Sequence, residues 1–241
     1  MNPRAILFDL DDTLIDHSGT IDSCWQTAAE RAVAIFPGLS SEQFLAARET
    51  AGQSYWAANH REGRLNLRIG RRRVVELALE SLGLGTSHAA EIADLFHECR
   101  EGSYELLPGA IETLEALGAA GIKLGLVTNG ESLLQRSKLE RFELARHFDH
   151  IQIEGEFGLG KPEEGAYRAA LEALGVGADE AWMIGDNLEW EVAAPQRVGI
   201  FSIWVDAAGN GLPTGSEVKP DKIVRSVREL SDILSVSTAR Q

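Results

Sequence analysis

Arg4-Ala5-Ile6-Leu7-Phe8-Asp9-Leu10-Asp11-Asp12-Thr13 is the stretch from which the rest of the chain can be read. It opens with a short apolar run, Ala5 to Phe8, that does not alternate with polar residues and stops at an aspartate. A strand apolar on both faces belongs in a parallel sheet covered by helices on each side. The same signature recurs at Ile122–Val127, His150–Ile153, Ala181–Ile184 and Ile200–Val205. Between these runs the apolar residues follow a helical period, over Ile111–Ala120, Ser132–Leu144, Glu163–Leu174 and Asn187–Val198. Strand and helix therefore alternate across residues 108–234, which predicts a doubly wound α/β fold with a mainly parallel sheet.

The first strand does not lead straight to the second. Residues 17–106 carry no strand signal and show amphipathic helical stretches at Ile21–Phe36, Ser41–Asn59, Leu65–Leu82 and Ala89–Tyr104. Turn-forming residues separate them at Pro37-Gly38, Arg61-Glu62-Gly63 and Gly83–Ser87. The expected organisation is an α/β core made of residues 1–16 and 107–241, with an all-helical insertion over 17–106. An insertion that leaves and returns at nearby points can hinge over whatever lies at that strand's end. The tail from Ser235 is polar and is expected to fray.

Composition narrows the class. The chain has 241 residues, 44% hydrophobic and 25% charged, a globular mix that argues against disorder. Its longest apolar stretch, Val198–Val205, is far short of the ~20 residues needed to span a bilayer. Met1-Asn2-Pro3-Arg4 is not expected to open a secretory leader. The net charge of −14 repels nucleic acid and anionic membranes. An anionic substrate must then be met by a local cluster of cations or by a metal. Cys24 and Cys99 stand in no metal or redox spacing, which reads as a reducing cytoplasm. The expectation is a cytoplasmic monomer or homodimer that uses neither nucleic acid nor membrane.

In parallel sheets the functional crevice lies beyond the carboxyl ends of the strands. The first strand is followed there by Asp9-Leu10-Asp11-Asp12-Thr13, the second by Thr128-Asn129-Gly130, and the third, after a glycine-rich loop, by Lys161-Pro162. The fourth ends in Gly185-Asp186-Asn187, with Glu189 and Glu191 just beyond. Singly, each residue has a plain explanation as a cap, a loop hydroxyl or a solvated lysine. Their common place in the α/β order outweighs those explanations. Like charges about 4 Å apart repel by about 4 kcal/mol at an effective dielectric of 20. A hard divalent cation relieves that repulsion, and an all-oxygen set favours magnesium over zinc. Metal, lysine, hydroxyl and a free carboxylate together suit a phosphoryl group.

The order DxDxT (Asp9, Asp11, Thr13), then Thr128, then Lys161-Pro162, then Gly185-Asp186 resembles the haloacid dehalogenase superfamily along the whole chain. That resemblance implies a helical cap after the first motif. It also implies Asp9 as nucleophile, Asp11 as the acid that protonates the leaving oxygen and then activates water, and Thr128, Asn129 and Lys161 as phosphoryl-binding residues. Magnesium is implied on the Asp9 carboxylate, the Asp11 backbone carbonyl and Asp186. The run Leu126-Val127-Thr128-Asn129-Gly130 looks most like the branch of nucleoside 5′-monophosphatases and N-acylneuraminate-9-phosphatases, with phosphoglycolate phosphatases close behind. One departure stands out: Glu191 (or Glu189) occupies the place of a second aspartate, with Asn187 beside it. A glutamate adds a methylene and is expected to reach the metal only through water.

Other motifs carry less. Gly155-x-x-x-x-Gly160-Lys161 is most of a P-loop, but Pro162 replaces the required Ser or Thr and removes an N–H. Pro162 is better placed in the first turn of the helix at Glu163. His147 and His150 read as structural. Arginines 61, 64, 68, 71, 72 and 73 face one glutamate, Glu62, within their segment. A solvated helix face is the simpler account of that cluster, and a second contact to an anionic substrate is the sharper one. The expected activity is magnesium-dependent hydrolysis of a small phosphorylated metabolite. Carbon–halogen hydrolysis, phosphoryl transfer within a sugar phosphate, and a binding module without activity are the alternatives on the same scaffold.

Overall fold

All four residues of β1 (Ala5–Phe8) are fully buried, as a strand flanked on both edges and both faces must be. The computed structural model describes residues 2–238. A short strand β2 (Ile15–Asp16) follows and pairs antiparallel with β3 (Glu105–Leu106), where the chain returns. Two compact units result: one runs through Asp16 and resumes at Glu105, and the other is His17–Tyr104. β3 lies inside the stretch that reads as free of strands. Two residues cannot show a period, so the sequence places this boundary at 106 and the structure at 104.

The second unit is helical: α1 (Ile21–Ile35), α2 (Ser41–Ala58), α3 (His60–Leu65), α4 (Leu67–Ser81) and α5 (Ala89–Ser103). Ser40 starts α2 with a capping box, its hydroxyl accepting from Gln43 N–H while the Gln43 side chain accepts from Ser40 N–H. Trp25, Ala28, Phe44, Val75, Leu79, Ile92 and Phe96 share one apolar core. Each large side chain buried there stabilises the unit by roughly 1.5–3 kcal/mol. Cys24 of α1 and Cys99 of α5 are joined by a disulfide, their Cα atoms 5.5 Å apart. This corrects the reading of two reduced thiols. Spacing along the chain says nothing about residues that helix packing brings together.

The first unit continues with α6 (Ala110–Ala119), β4 (Lys123–Thr128), α7 (Ser132–Arg141), β5 (His150–Ile153), α8 (Glu154–Phe157) and α9 (Glu164–Leu174). It closes with β6 (Ala181–Gly185), α10 (Ala194–Val198), β7 (Phe201–Val205), β8 (Lys222–Val224) and α11 (Glu229–Thr238). The sheet is parallel, in the order β5-β4-β1-β6-β7-β8. β8 escapes a periodicity reading because it has three residues and exposes Lys222 and Ile223. The Asn187–Val198 helix opens as a π-helical turn over Leu188–Ala193. α11 reaches into the polar tail expected to fray, and residues 239–241 lie outside the described residues. No described helix is long and apolar enough to cross a membrane. The order change on either side of β1 is the switch point, and it brings the ends of β1, β4 and β6 together.

Candidate active site

Asp9 leaves the sheet one residue beyond β1. Its N–H donates to Ile184 O at 3.0 Å, so the pairing with β6 continues past the strand and fixes where the carboxylate emerges. The loop then tightens. Asp12 takes a left-handed φ of 58°, which a short polar side chain tolerates, and Leu14 and Ile15 N–H both return to Leu10 O. Thr13 is buried within this loop and donates to Asp9 Oδ2 at 3.3 Å.

Lys161 meets the other carboxylate oxygen. Its Nζ lies 2.5 Å from Asp9 Oδ1 and 2.7 Å from Glu191 Oε1, with the lysine and glutamate side chains each 1% exposed. Asn129 grips the lysine's backbone, accepting from Lys161 N–H at 2.8 Å and donating to Lys161 O at 2.7 Å. Both ends of the Asn129 amide are thus engaged in placing Lys161, where the resemblance implies contact with substrate. The Lys161–Pro162 peptide is cis, and Pro162 precedes Glu163, the N-cap of α9, instead of lying in its first turn.

Glu191 also accepts from Asn187 N–H at 2.9 Å, while Asn187 Oδ1 caps the π-helical turn through Glu189 and Trp190 N–H. The longer side chain at 191 is therefore a partner of Lys161 and of the Asn187 loop. Gly185 makes this approach possible. A Cβ there would stand 2.1 Å from Glu191 Cγ and 3.0 Å from Asp9 Cβ. The Asp186 backbone is held by Trp204, whose indole N–H donates to Asp186 O at 2.7 Å.

Two side chains of α7 complete the arrangement, and the motif reading passed over both. Lys138 Nζ lies 2.6 and 2.8 Å from the two Asp11 oxygens. Gln135 Nε2 donates to Asp11 Oδ2 at 3.1 Å and to Thr128 Oγ1 at 2.7 Å. Helical periodicity marks α7 as a helix, but its polar residues sit on the buried face, so a pattern of apolar positions cannot reveal them. The one available signal is a glutamine and a lysine three apart, a common surface pairing.

Carboxylates outnumber ammonium groups here, and their protonation shows it. Burial pushes Glu191 up to about 8, Lys161 pulling it back only in part and Asp9 adding repulsion. Burial raises Asp9 as well, with Lys161 lowering it and Asp11 raising it. Asp186 lies at the exposed rim, yet partial desolvation and the nearby Asp9 and Asp12 hold its carboxyl above the ordinary range. Burial alone would lower the Lys161 ammonium, but Asp9 and Glu191 together hold it above its usual value. Among the described residues, no group of three or more His, Cys, Asp or Glu side chains is placed to hold a metal ion. Magnesium is usually held by one or two carboxylates, with waters and substrate oxygens filling the other positions. Asp9 and Asp186 could supply such a pair, and their mutual repulsion is what a divalent cation would relieve.

Comparison with known proteins gives this geometry a family. The chain is 34% identical to a phosphoserine phosphatase of Thermus thermophilus, over 94% of this chain and 97% of that one. It is 26% identical to a glyceraldehyde 3-phosphate phosphatase of Methanocaldococcus jannaschii, over 96% of each. The crystal structure of the HAD-hydrolase YfnB from Bacillus subtilis, bound to magnesium, superposes with a TM-score of 0.72 at 24% identity, covering 97% of this chain and 99% of that one, which shows a shared fold. Residues 3–199, which span β1 through α10, match the model of the haloacid dehalogenase-like hydrolases, and it is to that family that the chain belongs.

Proposed function

We propose that the protein is a magnesium-dependent phosphomonoester hydrolase that acts on a small phosphorylated metabolite through an aspartyl-phosphate on Asp9. The observation that carries this reading is the pair of carboxylates at the end of β1: Asp9 faces the buried Lys161, and Asp11, two residues on, has its own ammonium partner in Lys138. A nucleophile needs one carboxylate, and proton transfer to and from the leaving and attacking oxygens needs the second. Carbon–halogen hydrolysis has no use for Asp11, because a halide leaves without a proton. The phosphatase activities of the Thermus and Methanocaldococcus relatives support the same choice.

An Asp9 oxygen attacks phosphorus as the ester P–O bond breaks, and Asp11 delivers its proton to the departing oxygen. A water then attacks the phosphorus of the aspartyl-phosphate and gives its proton to the Asp11 carboxylate. Asp9 is released as a carboxylate and inorganic phosphate leaves. Lys161 and the Thr128 hydroxyl bind phosphoryl oxygens throughout, and Thr13 keeps Asp9 oriented. Magnesium, when bound, would be held by Asp9, the Asp11 carbonyl and Asp186 and would neutralise the phosphoryl charge.

The test is a panel of phosphorylated metabolites incubated with protein and magnesium, reading released phosphate. Release from some esters, abolished by chelator and restored by magnesium, is the expected result. Full activity in excess chelator, or release of halide from a 2-haloacid without release of phosphate, overturns the reading.

A further inference from the structure

Thr128 and Asp11 stand at the ends of different strands, and one helix reaches both. Gln135 and Lys138 lie three apart on α7 and are both buried, the lysine side chain 3% exposed. A lysine removed from water to this degree gives up most of its hydration, and here a bidentate contact with Asp11 replaces it. Gln135 uses the two hydrogens of one amide nitrogen on two acceptors, Asp11 Oδ2 and Thr128 Oγ1.

These bonds have directional consequences. Because Thr128 Oγ1 accepts from Gln135, its own hydrogen must point elsewhere. The acceptor it finds is the Asn129 carbonyl at 3.4 Å, a long and weak bond that an arriving phosphoryl oxygen can replace. An aspartate held at both oxygens keeps one rotamer, whereas a carboxylate with no such partners samples several. The helix thereby sets the direction of a hydroxyl that binds the phosphoryl group and of the carboxylate that carries its proton.

We propose that Gln135 and Lys138 are positioning residues for phosphoryl transfer: Lys138 fixes the Asp11 carboxylate, and Gln135 couples Asp11 to Thr128. The inference rests on the reading of Asp11 as proton carrier given above. It predicts a dependence on leaving group that a purely structural role would not produce. An alkoxide needs the proton that Asp11 supplies, while p-nitrophenolate departs without one.

The experiment compares p-nitrophenyl phosphate with the alkyl phosphomonoester that the wild type turns over fastest, both with magnesium. The quantity compared is kcat/KM, which reports the steps up to departure of the alcohol and not the hydrolysis of the aspartyl-phosphate that both esters share. Lys138→Met is expected to lower it about 100-fold or more on the alkyl ester, the lower range of a general acid's contribution, and under about tenfold on p-nitrophenyl phosphate. Lys138→Arg restores most of the alkyl rate. Should Lys138→Met fail to fold, Gln135→Leu carries the test without removing a charge: it raises KM for both esters through Thr128 and lowers kcat/KM on the alkyl ester by a further factor through Asp11. Equal losses of kcat/KM on the two esters in a variant with wild-type thermal unfolding, or no loss at all, overturn the inference while leaving the phosphatase reading intact. A wild type that releases phosphate from no ester overturns that reading, and this inference with it.

Discussion

The two units bury charge in opposite ways. In the α/β unit, Asp9, Glu191 and Asp11 meet Lys161 and Lys138 at 2.5–2.8 Å, and every buried ammonium faces at least one carboxylate. In the helical unit the buried cation is Arg100, whose guanidinium donates to the Thr20 hydroxyl at 2.8 Å and to the His17 carbonyl and lies over the Tyr104 ring. Nearby, Arg71 lies over the Phe96 ring and donates to Nδ1 of the buried His97 at 3.2 Å. A guanidinium has no acceptor, so His97 accepts through Nδ1 and carries its hydrogen on Nε2. The first arrangement gathers more carboxylates than ammonium groups, so that Glu191, Asp9 and Asp186 are all raised and a cationic ligand is left to complete it. The second spreads fixed positive charge over dipoles and rings, which ties the end of α5 to the segment before α1.

Substitutions can break this contrast, the largest effect coming from the nucleophile. Asp9→Asn is expected to reduce kcat by at least about 10³-fold, since the covalent step is lost, while the thermal unfolding midpoint stays near the wild type because Lys161 retains Glu191. A midpoint lowered by many degrees would mean that the Asp9–Lys161 pair is structural.

In the helical unit, stability rests on a cross-link as well as on packing. The Cys24–Cys99 disulfide closes a sequence separation of 75 residues. Replacing both cysteines with alanine is expected to lower unfolding stability by about 2–4 kcal/mol in denaturant titrations, with reductant reproducing the loss in the wild type. Identical curves with and without reductant would remove the cross-link from the account.

The pH dependence of stability in metal-free protein sharpens the contrast, because the two units contribute opposite slopes. Burial, with Arg71 and Arg68 nearby, lowers His97 from 6.5 to about 3, so between those values the unfolded chain holds the extra proton and stability rises with pH. Glu191 is raised from 4.5 to about 8, so in that window the folded protein holds the extra proton and stability falls as pH rises. The slopes oppose each other between 4.5 and 6.5, and from 6.5 to 8 the carboxylate slope is unopposed by His97, with the raised Asp186 adding to it up to about 7. Each is at most about 1.4 kcal/mol per pH unit. Thermal melts should show His97→Gln flattening the acid limb and Glu191→Gln the alkaline limb.

The smallest effect is expected at the arginine cluster of the helical unit. Arg68 is exposed and pairs with Glu101 at 2.7 Å and Asp94 at 3.8 Å, while Arg72 and Arg73 pair with Glu76 and Glu80. Exposed pairs of this kind contribute about 0–1 kcal/mol. Arg68→Ala should therefore leave KM unchanged for both a metabolite and an aryl phosphate. A KM raised for the metabolite alone would assign that arginine to the substrate.

The α/β unit was legible wherever a residue's role follows from its place in the chain. Asp9 and Asp186 stand just past strands, Thr128 ends one and Lys161 follows the loop after another, and topology alone gathers the ends of those strands. Lys138, Gln135 and the Cys24–Cys99 bridge were not legible, because each acts through a partner on another element. Glu191 shows the boundary within a single residue. Its position beyond the fourth strand marked it as part of the site, but its partnership with Lys161 depends on a π-helical turn and on the missing side chain at Gly185.

Apolar periodicity and the order of strand ends, which are local and one-dimensional, determined the sheet, the helical insertion and the rim of oxygen and nitrogen groups at the switch point. The partner of each carboxylate, the direction of the Thr128 hydroxyl and the joining of α1 to α5 were decided only by tertiary packing. The physical reason is range: a hydrogen bond or an ion pair is fixed within about 3 Å, and no pattern along the chain specifies distances of that order between residues that many others separate.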